Sequence, residues 1–412
     1  MASLLEHPTA QALLDRTAVS PQALRPAVEC LDAFLARYRP RFARTEQRDH
    51  AAVILRGKLS GLDRKTTEPI AAEAGVPRRA AQHFVGAGLW SDDAVRAELH
   101  AHVTQAIGDP EAVLIVDGLA VPKKGDDSCG VYRQWCGRLG KVENCQTGVF
   151  LGYAARGGQA LLDARLYLPR ERAADRRHRQ ATHVPAGVAF QEKWRLALDL
   201  IATAGAAVPH GWVVGDDEFG RVSAFRQELR SARRRYVLDV PSNTLIRDLR
   251  AARPAGARVP PWENAAAWAQ RQPTRAWRTV TIRAGEKGPL RMKAIDTMVQ
   301  AKDEDGRAGP RERLVVIRSC EAQPRTWYVL SNATHGEPLA AVVGAHGGRH
   351  RIEELFAEGN GDVGLDHWEV RSWLGWQHHV TLSLLAVWFL QVEKRRLGKK
   401  RRASRPASCA RS

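Results

Sequence analysis

Two aspartates each follow a short apolar run, and a glutamate rides a late helical segment. Asp117 ends the run VLIV, Asp216 follows GWVVG, and Glu353 lies in RHRIEELFAEG. Carboxylates are hard oxygen donors that suit Mg²⁺. Acids gathered from distant parts of a chain can hold two divalent ions, one activating a water or hydroxyl and the other steadying a leaving oxygen. That is the chemistry of cutting or joining phosphodiester bonds. Taken singly, each acid has an ordinary reading. Asp before Gly after a strand is turn chemistry, and Asp216-Asp217 shares that reading. Arg and Glu at i, i+4 usually form a surface ion pair.

The late helix adds to the pattern. Arg349, Glu353 and Asn360 fall at i, i+4 and i+11 and so share one helical face, which His346 joins if the helix begins early. This puts a carboxylate beside a guanidinium able to grip phosphate. Glu354 and Glu358 point away from that stripe.

The elements that must position these residues follow from patterning. Residues 1–105 read as a helical N-terminal domain. Within it, KTTEPIAAEAGVPRRAAQHFV resembles a helix-turn-helix, with Gly75 in the turn and Arg78, Arg79 and Gln82 on the second helix. An ordinary helical hairpin fits the same residues. From 106 to 241 the pattern predicts β-β-β-α-β-α-β. VLIV is a buried strand, GVFLGYAAR and QALLDARLYLP flank a Gly157-Gly158 turn, and AFQEKWRLALDLIATA is an amphipathic helix. The strands WVVG and RYVLDV close the series. This order matches an RNase H-like fold, α/β with a mixed sheet, and sets the ends of the first and fourth strands side by side. Residues 242–340 read as a β-rich insertion, with strands near TVTIRA, RLVVIRS and TWYVLSN. Trp262, Trp268, Trp277 and Trp327 in it could stack on bases or pack inside. C-terminal core helices span 341–393, and 394–412 reads as a basic disordered tail.

Composition narrows the partner. With 63 Lys and Arg against 45 Asp and Glu, the net charge is +18 and the pI about 10.2. Such a surface favours a polyanion, and nucleic acid gains affinity by releasing counterions. The helical domain, with Arg78 and Arg79, is then expected to bind DNA. The six cysteines show no zinc spacing and read as reduced thiols. Glu6 and His7 interrupt the first apolar run, so no signal peptide is expected. VTLSLLAVWFLQV is too short to span a bilayer. A cytoplasmic protein without membrane contact is expected, associated with the nucleoid when bound to DNA.

Longer strings carry a resemblance. VLIVDGLAVPKKGDDSCGVYRQWCGRLGKVENCQTGVFLGY looks like the first catalytic block of bacterial insertion-sequence transposases of the DDE superfamily. GDDEFG resembles their second block, and RHRIEELFAEGNGDVGLDHWEVRSW resembles their third. The resemblance runs from roughly residue 50 to 390. It implies that Asp117, Asp216 and Glu353 are catalytic metal ligands for Mg²⁺, with Mn²⁺ able to substitute. It further implies cut-and-paste strand cleavage and transfer on double-stranded DNA by a homodimer assembled on DNA. Lys123, Lys124 and Arg349 would bind backbone phosphates, the two lysines being equally readable as solvated charges. The family's third block usually reads Y-x2-R-x3-E-x6-K; here His346 stands for the Tyr and Asn360 for the Lys, at positions expected to contact DNA. The first block usually continues D-[ED]-[TS], and here Gly118-Leu119 follows Asp117. These departures keep open a non-catalytic or decayed, transposase-derived DNA-binding protein.

Overall fold

The computed structural model describes residues 21–403, except 253, 254, 257, 286 and 287. The opening apolar run with Glu6 and His7, and residues 404–412 with Cys409, lie outside the described residues. The described chain begins with helices α1 (Pro21–Tyr38), α2 (Thr45–Lys58), α3 (Thr67–Glu73), α4 (Arg78–Gly86) and α5 (Asp92–Ile107). Local chemistry sets their ends. Ser91 caps α5 by accepting the Ala94 N–H at 3.1 Å, with Asp92 and Asp93 in the first turn. Val95, Leu99, Val103 and Ile107 recur every fourth residue and are buried. Between α3 and α4, Gly75 takes a left-handed φ of 64°, which glycine adopts without steric penalty.

The sheet follows. β1 (Val113–Pro122), β2 (Tyr132–Cys136), β3 (Lys141–Ala155) and β4 (Gly158–Leu166) are antiparallel neighbours, with β3 central among them. After α6 (Lys193–Ala202), β5 (Trp212–Gly215) pairs parallel to β1; after α7 (Ser223–Ser231), β6 (Tyr236–Val240) pairs parallel to β5. The fold is therefore the expected RNase H-like α/β mixed sheet preceded by helices. β5 and β6 are almost wholly buried and almost wholly apolar, as strands covered on both faces must be.

Beyond β6 come β7 (Leu245–Asp248), β8 (Glu263–Asn264), β9 (Arg278–Gly285), β10 (Gly288–Lys302), β11 (Ala308–Ser319) and β12 (Thr326–Ser331). This stretch does not stand apart from the core. β12 pairs antiparallel with β6, so one twelve-stranded sheet runs through both. A second, smaller apolar cluster built around Trp268, Ile295, Val299 and Leu314 sits under it.

Helices α8 (Leu339–Gly347), α9 (His350–Val363) and α10 (Trp373–Ala403) complete the chain. α10 is buried through Trp376, Leu384, Leu385 and Trp388, and it packs on β4 and on α2, α4 and α5. Trp90 of the N-terminal region stacks on its His378 at 3.8 Å between ring centres. The N-terminal helices thus share one core with the sheet instead of forming a separable unit. Residues 394–403, read above as disordered tail, continue α10. Lys394 pairs with Glu358, and Arg395 donates to the Ala106 carbonyl at 2.8 Å, so the start of this basic stretch is tied to the body. No helix among the described residues is long and apolar enough to cross a membrane.

Candidate active site

Parallel pairing of β1 with β5 aligns Val116 with Gly215. The next residues, Asp117 midway along β1 and Asp216 just past β5, therefore emerge together where the parallel pairing ends, with neighbouring strands about 4.8 Å apart. Asp117 lies opposite Phe150 of β3, and directly paired residues point to one face. Phe150 meets Phe356 of α9 edge-on at 5.3 Å between ring centres. Gly152, two residues on, lets Ile352 of α9 approach; a methyl there would come within 3.2 Å of it. These contacts seat α9 on the face that Asp117 uses, and they bring Glu353 to it.

Electrostatics reports the same gathering. Burial first, and then the charge of Asp216, push the Asp117 carboxyl up to about 7; Glu353 adds to the rise and Arg349 opposes it. Burial and then Glu218 push Asp216 up to about 6. Both side chains keep some solvent contact, which tempers the penalty. Local bonds hold each acid in place. The Gly118 N–H donates to Asp117 Oδ1 at 2.7 Å, and the Glu218 N–H donates to Asp216 Oδ1 at 3.0 Å.

Arg349 sits at the hub. Its Nε lies 3.2 Å from Asp239 Oδ2, and its terminal nitrogen lies 3.1 Å from Glu353 Oε1. Burial works against its charge. Asp239, Glu353, Asp117 and Asp216 outweigh that and raise its pKa. The second Glu353 oxygen pairs with His350 Nδ1 at 2.9 Å. His346 turns inward, its Nε2 2.8 Å from Asp239 Oδ1 and its ring edge-on to Trp327.

The donor chemistry suits a hard divalent cation, whose charge would relieve the crowding of Asp117 and Asp216. Among the described residues, however, no three His, Cys, Asp or Glu side chains stand as a metal-holding group. Glu353 is engaged by Arg349 and His350, and a dication would have to draw it away.

The remaining sequence candidates lie apart from this cluster. Lys123 is tied to the Trp368 carbonyl and ring, and burial lowers its pKa to about 8; Lys124 is exposed. Asn360 is partly buried, with its Oδ1 lacking a partner. Arg78 and Arg79 are exposed on α4, with Arg78 bonded to Glu68 at 2.6 Å. Of the tryptophans, Trp268 lies in the second core, while Arg247 covers Trp262 and Arg318 covers Trp277. Sequence patterning missed three features. Asp239 is hidden inside the apolar strand YVLDV. Glu218 lies 3.4 Å from where a Gly118 Cβ would stand and pairs with Lys193 at 2.6 Å. Trp135 is 59% exposed on the β2–β3 hairpin.

Comparison with known proteins gives the family. A family model described as DDE superfamily endonuclease matches residues 37–289, more than half of the chain. The chain belongs to that family. A curated protein of Microchaete diplosiphon, "Probable transposase for insertion sequence element IS701", is 28% identical over 155 residues. That match spans 37% of this family member and 41% of the relative, so the chain matches about two fifths of the relative's length. A cryo-EM structure of the piggyBac transposase synaptic complex with hairpin DNA covers 89% of this chain and 74% of its own. Its identity is 11% and its TM-score 0.35, a likeness on which no argument rests.

Proposed function

We propose that this protein is a DDE transposase that cleaves DNA at the ends of an insertion sequence and joins the freed ends to a target. One observation carries the reading: Asp117 and Asp216 emerge side by side from adjacent parallel strands while α9 presents Glu353 to the same guanidinium. Asp117, Asp216 and Glu353 are the residues proposed to hold Mg²⁺ or Mn²⁺. Bound there, such ions would acidify a water or 3′-hydroxyl and stabilise the departing oxygen. The chain's own residues orient the two carboxylates through the Gly118 and Glu218 amides, and Arg349 offsets their charge until the ions arrive. The surplus of basic residues and the exposed Arg78 and Arg79 support double-stranded DNA as partner. Simultaneous handling of two ends supports a homodimer on DNA.

The test is incubation of the purified protein with DNA carrying its flanking genomic ends, with and without Mg²⁺ or Mn²⁺, beside Glu353→Gln. Metal-dependent nicks at the ends, lost in the variant, are the expected result. Gly118 and Asn360 depart from the family pattern, and Glu353 is held by basic side chains; these favour a second reading, a transposase-derived protein that only binds DNA. Specific binding with no cutting in any metal would establish it.

A further inference from the structure

Asp239 is almost fully buried, 8% exposed, and both of its oxygens are committed. Oδ1 takes His346 at 2.8 Å and Oδ2 takes the Arg349 Nε at 3.2 Å. It comes from β6, the strand beside the one that leads to Asp216, and the strand is held there closely. Any Cβ at Gly220 would lie 1.9 Å from the Asp239 carbonyl oxygen, so the short turn after Asp216 and the backbone of Asp239 are fixed against each other.

Arg349 therefore bridges two acids, a buried one on a rigid strand and a more exposed one, Glu353, on a helix. We propose that Asp239, itself oriented by His346, is a positioning residue that retains Arg349 when Glu353 turns to a divalent cation. This rests on the metal-dependent reading above. Without Asp239 the guanidinium has Glu353 as its nearest partner and competes for it. Without a donor at 346, Asp239 is free to rotate and Arg349 loses its fixed place. The His346 side chain then has a job that any short, correctly placed N–H could do, whatever its charge.

Partners of this kind behind a metal ligand typically change metal affinity about 10–100-fold. The measurement is Mn²⁺-dependent thermal stabilisation of the full chain, from EDTA upward, for wild type, Asp239→Asn, His346→Gln and His346→Leu. DNA affinity is read separately in EDTA. A glutamine amide reaches about as far as the imidazole Nε2 and still donates, whereas leucine fills the space and cannot donate. The expected result is a half-saturating Mn²⁺ concentration raised about tenfold in Asp239→Asn and His346→Leu. His346→Gln should stay near wild type in its Mn²⁺ response, and DNA affinity in EDTA reports separately any loss of phosphate contact when Arg349 is displaced. If Asp239→Asn fails to fold, the Gln and Leu pair still decides, because both vary the same buried site. Equal Mn²⁺ responses in all variants, or a Gln variant as impaired as Leu, would overturn the positioning role while leaving the transposase reading standing. A wild type with no Mn²⁺ response removes the metal-dependent reading and this proposal with it.

Discussion

Two regions of the protein treat their acids oppositely. In the strands added to the core, Glu312 is fully buried and accepts from Arg226 at 3.0 Å and from the Tyr236 hydroxyl at 2.6 Å. Asp296 nearby takes Arg278 and the buried Arg313, the latter at 2.8 Å. Arg313 in turn donates to the Thr334 and Glu337 carbonyls. Where the parallel pairing of β1 and β5 ends, Asp117 and Asp216 emerge together, with one guanidinium serving several acids. Both regions lie on one continuous sheet. The difference is pairing: Glu312 and Asp296 in the added strands each have at least one guanidinium of their own, whereas the site keeps surplus negative charge.

The contrast breaks most visibly on the paired side. Arg226→Met should leave Glu312 as an unmatched buried charge and destabilise the protein by about 3–5 kcal/mol. Urea denaturation at neutral pH checks it. A loss under about 1 kcal/mol would mean that the pair is dispensable and that matching does not separate the two regions.

The opposite sign is expected at the site. A buried carboxyl whose pKa is raised on folding favours the folded state while protonated, and that stabilisation is lost as pH climbs from about 4 through about 7. Asp117→Asn should therefore match wild type near pH 4 and exceed it at pH 8 in EDTA, by on the order of 1–2 kcal/mol. Mn²⁺ should then raise the midpoint of wild type and leave that of the variant unmoved. A variant less stable than wild type at pH 8 would show that Asp117 is a structural acid after all.

How far this contrast can be read from sequence follows from what each side rests on. The core strands were legible because VLIV and WVVG are short apolar runs, and two acids following such runs were visible at once. β10 was not, because Asp296 and Thr297 are buried in its middle and break any apolar pattern. Asp296 is satisfied by Arg278 and Arg313, eighteen and seventeen residues away, and the Thr297 hydroxyl donates to Asp248 Oδ1 at 3.0 Å, from β7. Asp239 was hidden for a stronger version of the same reason. It looks like one polar residue in a strand until His346, 107 residues later, folds against it. The continuation of the sheet from β6 to β12 is likewise a non-local pairing that no periodicity reports. The helical reading of α3 and α4 succeeded because its signals, a glycine turn and a proline before α4, are local.

The surface supplies the smallest effect and a third term for the comparison. Arg78 and Glu68 stand 2.6 Å apart but are each more than half exposed, so water competes with the pair and long side chains must be ordered to make it. Arg78→Ala should change folding stability by no more than about 0.5 kcal/mol. Should α4 lie against DNA phosphates, the same change weakens binding across sequences and lowers the slope of log affinity against log salt by about 1. Fluorescence polarisation with terminal-repeat and random duplexes, over a range of salt, separates the two effects. An unchanged slope would take Arg78 off the DNA and leave it an ordinary solvated ion pair. A stability loss near that of Arg226→Met would show that exposure does not weaken a charge pair here, and the distinction between matched interior and surplus-charge site would lose its physical basis.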